Sequence, residues 1–230
     1  KSVGGLSDPS KMPSFAWSIP AIFCKVGSVL KKVPGSTCES CYAERGCYTF
    51  RSTVIAMDRR YRVLTEVLAD APLRSQFIGS FVELLNRRQL HTMGQLSKGN
   101  KLARDNRYFR WFDSGDLQSI EHLALIVEIA SKTPEVRHWL PTREYRIVRR
   151  YLKEHGSFPA NLEVKLSAAM VDGEAPTISG TSKTTCSTGE TPEGYTRCEA
   201  YDDPDPANHG CGDCRDCWFP MNKSYDFRTG

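Results

Sequence analysis

The sequence predicts a compact α/β domain, an incomplete (β/α) barrel of the TIM type. Two observations lead to this prediction. Strand-like and helix-like patterns alternate between residues 107 and 172, and polar residues stand where each predicted strand ends. About six strands are expected, too few for a complete eight-stranded barrel.

The first half of the chain predicts one strand and two long helices. "PSFAWSIPA" (13–21) is a short apolar strand with proline at its edges. Apolar residues recur with helical spacing over 53–68 and again over 73–90. The polar stretch 91–106 predicts a loop.

The second half predicts the repeating β/α units. The expected strands are 107–112, 136–141 and 161–171, and the expected helices are 117–130 and 143–154, the latter closed by Gly156. After Asp172 the chain is rich in Gly, Thr, Ser and Pro, which predicts irregular or short-stranded structure. We expect a single catalytic domain over 1–230, with a cysteine loop at 13–50, core β/α units at 107–172 and a C-terminal metal-binding segment at 186–218.

Composition favours a globular protein that carries no membrane span. The chain is 40% hydrophobic and 25% charged, and its net charge is +4. No apolar run is long enough to cross a bilayer, so we expect a cytoplasmic protein. Arg and Lys cluster with aromatic residues in "KLARDNRYFR" and "REYRIVRRYLK". Such clusters either bind nucleic acid or are ordinary solvated helix faces.

Nine cysteines fall into two groups, a distribution that indicates metal binding rather than disulfides. "CGDCRDCW" places Cys211, Cys214 and Cys217 at the spacing of a zinc site that needs one further ligand. Cys198 and Cys186 are the natural candidates for that ligand, with His209 as a substitute. Zinc is the expected metal and an iron–sulfur cluster is the alternative.

The N-terminal group consists of Cys24, Cys38, Cys41 and Cys47. The run C-x-x-C-Y resembles the end of the cluster motif of radical S-adenosylmethionine (SAM) enzymes, although the first cysteine of that motif lies only a few residues upstream. An iron–sulfur cluster held by Cys24, Cys38, Cys41 and one more cysteine is therefore one hypothesis for this group.

The run Asp113-Ser114-Gly115-Asp116 follows the strand-like segment 107–112. Carboxylates at the carboxyl end of a parallel strand are placed for catalysis. The alternative is structural: Asp116 would be the N-cap of the next helix and Asp113 a turn residue. Thr142, Arg143 and Asp172 follow the next two strands in the same way.

Two family resemblances bear on these motifs. "CESCYAERGCYTF" and "DSGDLQS" together resemble small phage proteins of largely unassigned function, from about residue 13 to 146. "DSGDLQ" is also similar to the DSGGFQ signature of the tRNA-guanine transglycosylases and their DNA-acting relatives. Those enzymes are (β/α) barrels with a C-terminal zinc site, although Asp116 and Leu117 depart from their signature and the zinc spacing differs.

The second resemblance implies a DNA-guanine transglycosylase. Its partners would be DNA and a free 7-deazaguanine base such as 7-cyano-7-deazaguanine, exchanged for guanine through a covalent glycosyl-aspartate. The resemblance makes Asp113 the acid/base, with Asp172 the better candidate for nucleophile and Asp116 the other. The residues expected to bind the flipped base are Ser114, Gly115, Gln118, Trp111, Trp139 and Arg143.

Two other functions remain open. One is a radical-SAM-like iron–sulfur enzyme that acts on nucleotides or nucleic acid, with Gly115 and Asp116 near the methionine moiety of SAM. The other is a non-catalytic nucleic-acid-binding module held together by metal. The metal, the oligomeric state and the sequence context are not fixed by these patterns.

Overall fold

The computed structural model describes residues 2–226, and a parallel sheet of seven strands lies at its centre. In spatial order the strands are β1 (Ala16–Trp17), β2 (Tyr108–Trp111), β3 (Arg137–Thr142), β4 (Leu162–Ser167), β5 (Ser182–Ser187), β7 (Lys223–Asp226) and β6 (Thr196–Arg197). Every neighbouring pair is parallel. The mixed α/β class is therefore confirmed. Strands β1 and β6 form the two edges of this sheet, so closure into a barrel is not confirmed.

Five α-helices accompany the sheet. They are α1 (Lys25–Leu30), α2 (Arg51–Ala69), α3 (Ala71–Leu96), α4 (Ile120–Ser131) and α5 (Tyr145–His155). Four of them correspond to predicted helices, and α1 lies within the predicted cysteine loop. Among the described residues, no helix is long and apolar enough to span a membrane.

Several predicted boundaries were wrong for identifiable reasons. The strand expected over 13–21 is reduced to two residues, because prolines near both ends limit its pairing. Helix α3 continues to Leu96 through the start of the expected loop 91–106. Helix α4 begins at Ile120, and its N-cap is Ser119, whose hydroxyl accepts a hydrogen bond from the His122 N–H at 3.2 Å. Asp116 is therefore not the cap of this helix.

The two faces of the sheet differ in character. Alternation along β2 turns Phe109 and Trp111 to one face, where Trp111 stacks on Phe81 of α3 with ring centroids 5.1 Å apart. Tyr108 and Arg110 point to the other face. This second face carries charged and polar side chains, and the C-terminal cysteine segment covers it. We call it the polar face.

Buried Lys165 on β4 attaches that segment to the polar face. Its ammonium group donates to the Phe219 carbonyl at 2.7 Å and to the Met221 carbonyl. The Trp218 indole N–H donates to the Phe109 carbonyl on β2 at 2.9 Å. These contacts bring residues 211–221 across strands β2 to β4.

Candidate functional site

The loops after β1 and β2 are in close contact at the carboxyl edge of the sheet. The Ile19 N–H donates to the Ser114 carbonyl at 3.2 Å. Gly115 has φ +85°, and a Cβ at this position would lie 2.3 Å from Ile19 Cγ1 and 2.8 Å from the Ile19 carbonyl oxygen. Phe112 also has a positive φ of 60°. Only glycine fits at position 115, because both the backbone conformation and the space exclude a side chain.

Asp116 is buried and held by the loop after β3. Its Oδ1 accepts hydrogen bonds from the Leu117 N–H at 2.7 Å and from the Thr142 hydroxyl at 2.6 Å. Its Oδ2 accepts one from the Arg143 N–H at 2.9 Å. Burial raises the pKa of Asp116, and these hydrogen bonds oppose the rise. The carboxylate therefore joins the loops after β2 and β3.

The Asp113 side chain is buried, and only one of its two oxygens is hydrogen-bonded within the described residues. Only 6% of the residue is exposed, yet Oδ1 has no hydrogen-bond partner within residues 2–226. Oδ2 accepts from the Tyr48 hydroxyl at 3.1 Å, and the Tyr42 hydroxyl donates to the Asp113 carbonyl at 2.6 Å. Burial raises the pKa of Asp113, while Arg110 and Tyr48 lower it. Oδ1 of this carboxyl group can therefore accept a hydrogen bond from a donor that residues 2–226 do not supply.

Asp172 lies in a different environment from the other two aspartates. It has φ +57°, and its carboxylate accepts from the Thr188 N–H at 2.8 Å and from the Thr188 hydroxyl at 2.7 Å. These hydrogen bonds lower its pKa. Its geometry is that of a turn that fastens the loop after β4 to the end of β5.

Three N-terminal cysteines lie together at the carboxyl edge. A Cβ on Gly27 would lie 3.8 Å from Cys24 Sγ and 3.7 Å from Cys38 Sγ, so both sulfurs border this glycine. Burial raises the pKa of Cys24 well above its usual range, and the charges of Asp116, Cys41 and Cys38 raise it further. Burial also raises the pKa of Cys41, to which Cys38 again contributes.

Cys47, which was expected with this group, is exposed on the turn Gly46–Thr49. It is not among the groups whose charge raises the pKa of Cys24 or Cys41. A cysteine from the opposite end of the chain comes closer. Burial raises the pKa of Cys186, the charge of Arg143 lowers it, and the charge of Cys38 raises it.

The backbone of the cysteine loop is fixed to the end of β4. The Thr37 N–H donates to the Ala169 carbonyl at 3.0 Å, and the Val171 N–H donates to the Gly35 carbonyl at 2.9 Å. Arg143 approaches from the next loop, and its Nε donates to the Ala168 carbonyl at 3.1 Å. Its positive charge lowers the pKa values of Cys24, Cys41 and Cys186. The N-terminal cysteine group thus lies over the strand ends with a guanidinium beside it.

The C-terminal cysteines form a second group, on the polar face. Burial raises the pKa of Cys211 to about 12, and the charges of Cys217, Cys198 and Cys214 raise it further. Burial likewise raises the pKa of Cys198 to about 11. The His209 ring instead contacts the Asp203 carbonyl at 2.9 Å. The arrangement favours Cys198 over Cys186 and His209 as the fourth member of the group.

Neither group has the arrangement that a single ion requires. Within residues 2–226, no three His, Cys, Asp or Glu side chains are placed to hold one metal ion. A tetrahedral zinc site needs sulfurs at about 2.3 Å from a common centre. An iron–sulfur cluster spreads its irons over several corners and holds its thiolates further apart. Both groups consist of thiols, which serve as ligands in zinc sites and in iron–sulfur clusters alike.

The residues expected to bind a base are dispersed. Trp111 is buried against the helices, and its indole N–H donates to His138 Nδ1 at 3.2 Å. Trp139 faces the opposite side and packs on Trp218, with ring centroids 5.4 Å apart. Gln118 Nε2 donates to the Phe23 and Asp116 carbonyls. Of the residues expected to bind the base, Trp111 and Trp139 therefore lie on opposite faces of the sheet.

Three residues at the site escaped the sequence reasoning. Tyr42 and Tyr48 hold Asp113, and Arg110 Nη2 contacts the Tyr42 hydroxyl at 3.4 Å. Tyr42 belongs to the run C-x-x-C-Y and Arg110 to a cluster of basic and aromatic residues, and neither pattern shows that they lie close to Asp113. A charged residue inside an apolar strand is itself a signal for a buried partner.

The chain matches a protein-family model. A family model described as GP88, gene product 88, matches residues 3–220. No curated protein and no solved structure matches the chain. The match is consistent with the predicted resemblance to small phage proteins and gives no evidence for a relationship to transglycosylases.

Proposed function

Because the chain belongs to the gene product 88 family, whose description names no activity, we propose a function from the site itself: an iron–sulfur enzyme of the radical-SAM type. The observation that carries the proposal is the meeting of Cys24, Cys38 and Cys41 over the carboxyl ends of parallel strands. Catalytic groups of parallel α/β folds lie at this edge.

The donor set fits a cluster with one open iron. Three thiols approach one another, and each must lose its proton when iron binds, so metal binding would overcome the raised pKa values of Cys24 and Cys41. Such a cluster would bind SAM at its open iron and supply the electron for reductive cleavage to a carbon radical.

Groups beside the cysteines are suited to the charged ends of SAM. Asp113 Oδ1 has no hydrogen-bond partner among the described residues and can accept a hydrogen bond from an ammonium group. The Arg143 guanidinium, close to Cys24 and Cys41, can pair with a carboxylate. Asp116 would act indirectly, because its hydrogen bonds to Thr142 and Arg143 hold the loops in position.

The surface around the cysteines favours a nucleotide or nucleic acid as substrate. Tyr42 and Phe50 are exposed by 50% and 62%, and Lys31, Lys32 and Arg45 are exposed on the same segment. Exposed rings stack on bases, and neighbouring cations bind phosphates. These side chains stand within nine residues of Cys38 or Cys41 in the sequence.

The geometry supports the transglycosylase hypothesis less well. That mechanism needs two carboxylates on either side of one sugar. Asp113 and Asp116 are close in sequence, but three hydrogen bonds from protein groups already occupy the Asp116 carboxylate. The Trp111 indole N–H donates to His138. Asp172, the expected nucleophile, is engaged with Thr188. Base exchange therefore serves as the competing outcome of the test.

The test is anaerobic purification followed by iron and sulfide analysis and a SAM cleavage assay with dithionite. We expect a brown protein that forms methionine and 5′-deoxyadenosine. Cys38→Ala should lose cleavage and N-terminal iron, whereas the matched variant Cys47→Ala should keep both, because Cys47 is exposed and lies outside the group. A protein that binds only zinc and inserts labelled 7-deazaguanine into DNA would refute the proposal.

A further inference from the structure

The two cysteine groups are joined by a chain of direct contacts. Cys211 Sγ lies 3.9 Å from the Met12 sulfur, which lies 3.6 Å from Arg110 Nη1. On its other side, Arg110 Nη2 lies 3.4 Å from the Tyr42 hydroxyl, and Tyr42 directly follows Cys41. Met12, Arg110 and Tyr42 thus form a continuous bridge, which we call the contact bridge.

Positive charge surrounds the C-terminal group. Lys223 Nζ donates to the Arg197 carbonyl at 3.1 Å and to the Asp216 carboxylate at 2.8 Å, and these residues directly precede Cys198 and Cys217. Lys165 Nζ donates to the Phe219 carbonyl at 2.7 Å. Lys165 is fully buried and Lys223 is 2% exposed. Burying ammonium groups is costly unless negative charge lies nearby. Asp216 pairs with Lys223 at 2.8 Å, and Glu163 lies 3.5 Å from Lys165. Deprotonated, metal-bound thiolates would supply further compensation.

The same positive charge favours a centre that gains an electron. Reduction adds one negative charge, and nearby cations and hydrogen bonds stabilise that charge and raise the reduction potential. Tyr225, whose hydroxyl lies 3.3 Å from Cys217 Sγ, adds a donor to this sulfur. A redox-inert zinc ion would make no use of the contact bridge.

We propose that the C-terminal cysteines Cys198, Cys211, Cys214 and Cys217 hold a second, redox-active iron–sulfur cluster, and that the contact bridge carries single electrons from it to the N-terminal centre. This rests on the proposed function for the N-terminal centre. In each transfer the C-terminal cluster is oxidised by one electron and the N-terminal cluster is reduced by one. No covalent bond changes and Arg110 keeps its proton. A one-electron donor, dithionite in vitro, re-reduces the C-terminal cluster.

The first experiment asks whether the second cluster exists. The triple variant Cys24→Ala, Cys38→Ala, Cys41→Ala is purified anaerobically and analysed for iron, zinc and electron paramagnetic resonance after reduction. We expect it to keep about half of the wild-type iron and a cluster signal. A triple variant that holds zinc and no iron overturns this inference and leaves the N-terminal proposal intact. Wild-type protein without iron would instead overturn the proposed function.

The second experiment tests the bridge by stopped-flow reduction with dithionite. In wild type we expect both clusters to be reduced in one phase. Both Met12→Leu, which conserves side-chain volume, and Arg110→Leu should interrupt the contact bridge. In each variant we expect two reduction phases, in which the C-terminal cluster is reduced first and the N-terminal cluster later. Arg110→Lys keeps the positive charge, so the C-terminal cluster should have the wild-type reduction potential. The two reduction phases should nevertheless remain separate in this variant. If Met12→Leu and Arg110→Leu both carry their full iron content and still show a single reduction phase, the proposed electron route is refuted.

Discussion

The Glu144 carboxylate, in the loop after β3, accepts a hydrogen bond from the Val26 N–H in the first turn of α1 at 2.9 Å. This bond fixes the backbone two residues after Cys24. Burial raises the pKa of Glu144, and the hydrogen bond to Val26 lowers it. The position of Cys24 therefore depends on a side chain from another loop.

Replacing Glu144 should disturb both folding and the first cysteine. Glu144→Ala leaves the Val26 N–H without its partner, so we expect the free energy of unfolding to fall by about 1–3 kcal/mol. Iron bound at the N-terminal group should fall as well. Urea unfolding and iron analysis measure the two effects. Glu135→Ala, at an exposed position, is the control and should change neither.

Gly115 should not tolerate even the smallest side chain. Gly115→Ala places a methyl group against Ile19 in a left-handed backbone conformation, so we expect a loss of at least about 2 kcal/mol in unfolding free energy. The matched control is Gly79→Ala in α3, where a Cβ meets nothing within 4 Å. That change should stabilise the helix by about 0.5–1 kcal/mol. Thermal melts of the two variants that shift equally would contradict this account.

The C-terminal cysteine group should contribute to folding. Replacing Cys214 with Ser removes a proposed metal ligand from a segment that Lys165 and Trp218 attach to the sheet, so both metal content and melting temperature should fall. Elemental analysis and thermal melts of Cys214→Ser and Cys47→Ser give the comparison. Wild-type metal content in Cys214→Ser would exclude it as a ligand.

His138 makes stability depend on pH. Burial lowers its pKa from 6.5 to about 3, and its Nδ1 accepts from Trp111 while Nε2 contacts the Thr133 hydroxyl at 2.9 Å. Between about pH 6.5 and pH 3 the unfolded chain binds the extra proton, so stability falls as pH falls, by up to about 1.4 kcal/mol per pH unit.

Denaturant unfolding across this pH range provides the measurement. His138→Gln should show a shallower pH dependence than wild type, because glutamine cannot take up the proton. His91→Gln, at an exposed position, should match the wild-type slope. Equal slopes for all three proteins would show that His138 does not titrate in this way.

Asp172 distinguishes the two enzymatic hypotheses. Under the iron–sulfur proposal Asp172→Asn should keep SAM cleavage, since asparagine tolerates a positive φ and can still accept from Thr188. Under the transglycosylase hypothesis the same variant would lose a covalent DNA adduct on a denaturing gel. An Asp172→Asn protein that cleaves no SAM while retaining its iron would argue against the role assigned here.

The sequence predicted the parts of the fold that follow hydrophobic periodicity. Strands β2, β3 and β4 and helices α2 to α5 were found because their apolar spacing is regular. Strand β5, "SKTTCS", was missed as a defined strand, since it contains no large apolar residue and therefore gives no alternation of apolar and polar positions.

The site was predicted only in outline. Position at the ends of strands identified Asp113, Asp116 and Arg143 as site residues. Asp172 also follows a strand, so position alone could not show that its carboxylate is engaged with Thr188 instead. Spacing along the chain also could not show that Cys186 lies near Cys38. Their proximity depends on the order of β4 and β5 in the sheet. Contacts between distant segments depend on strand order, which local patterns do not contain.

Strand β7 lies between β5 and β6 in the sheet, although it follows both in the chain. During synthesis, Cys198 to Cys217 therefore leave the ribosome before residues 223–226, which align them against β5. A nascent chain exposes four reactive thiols until its last described strand emerges. Metal binding by these cysteines, as proposed above, would therefore be completed only after residues 223–226 have emerged.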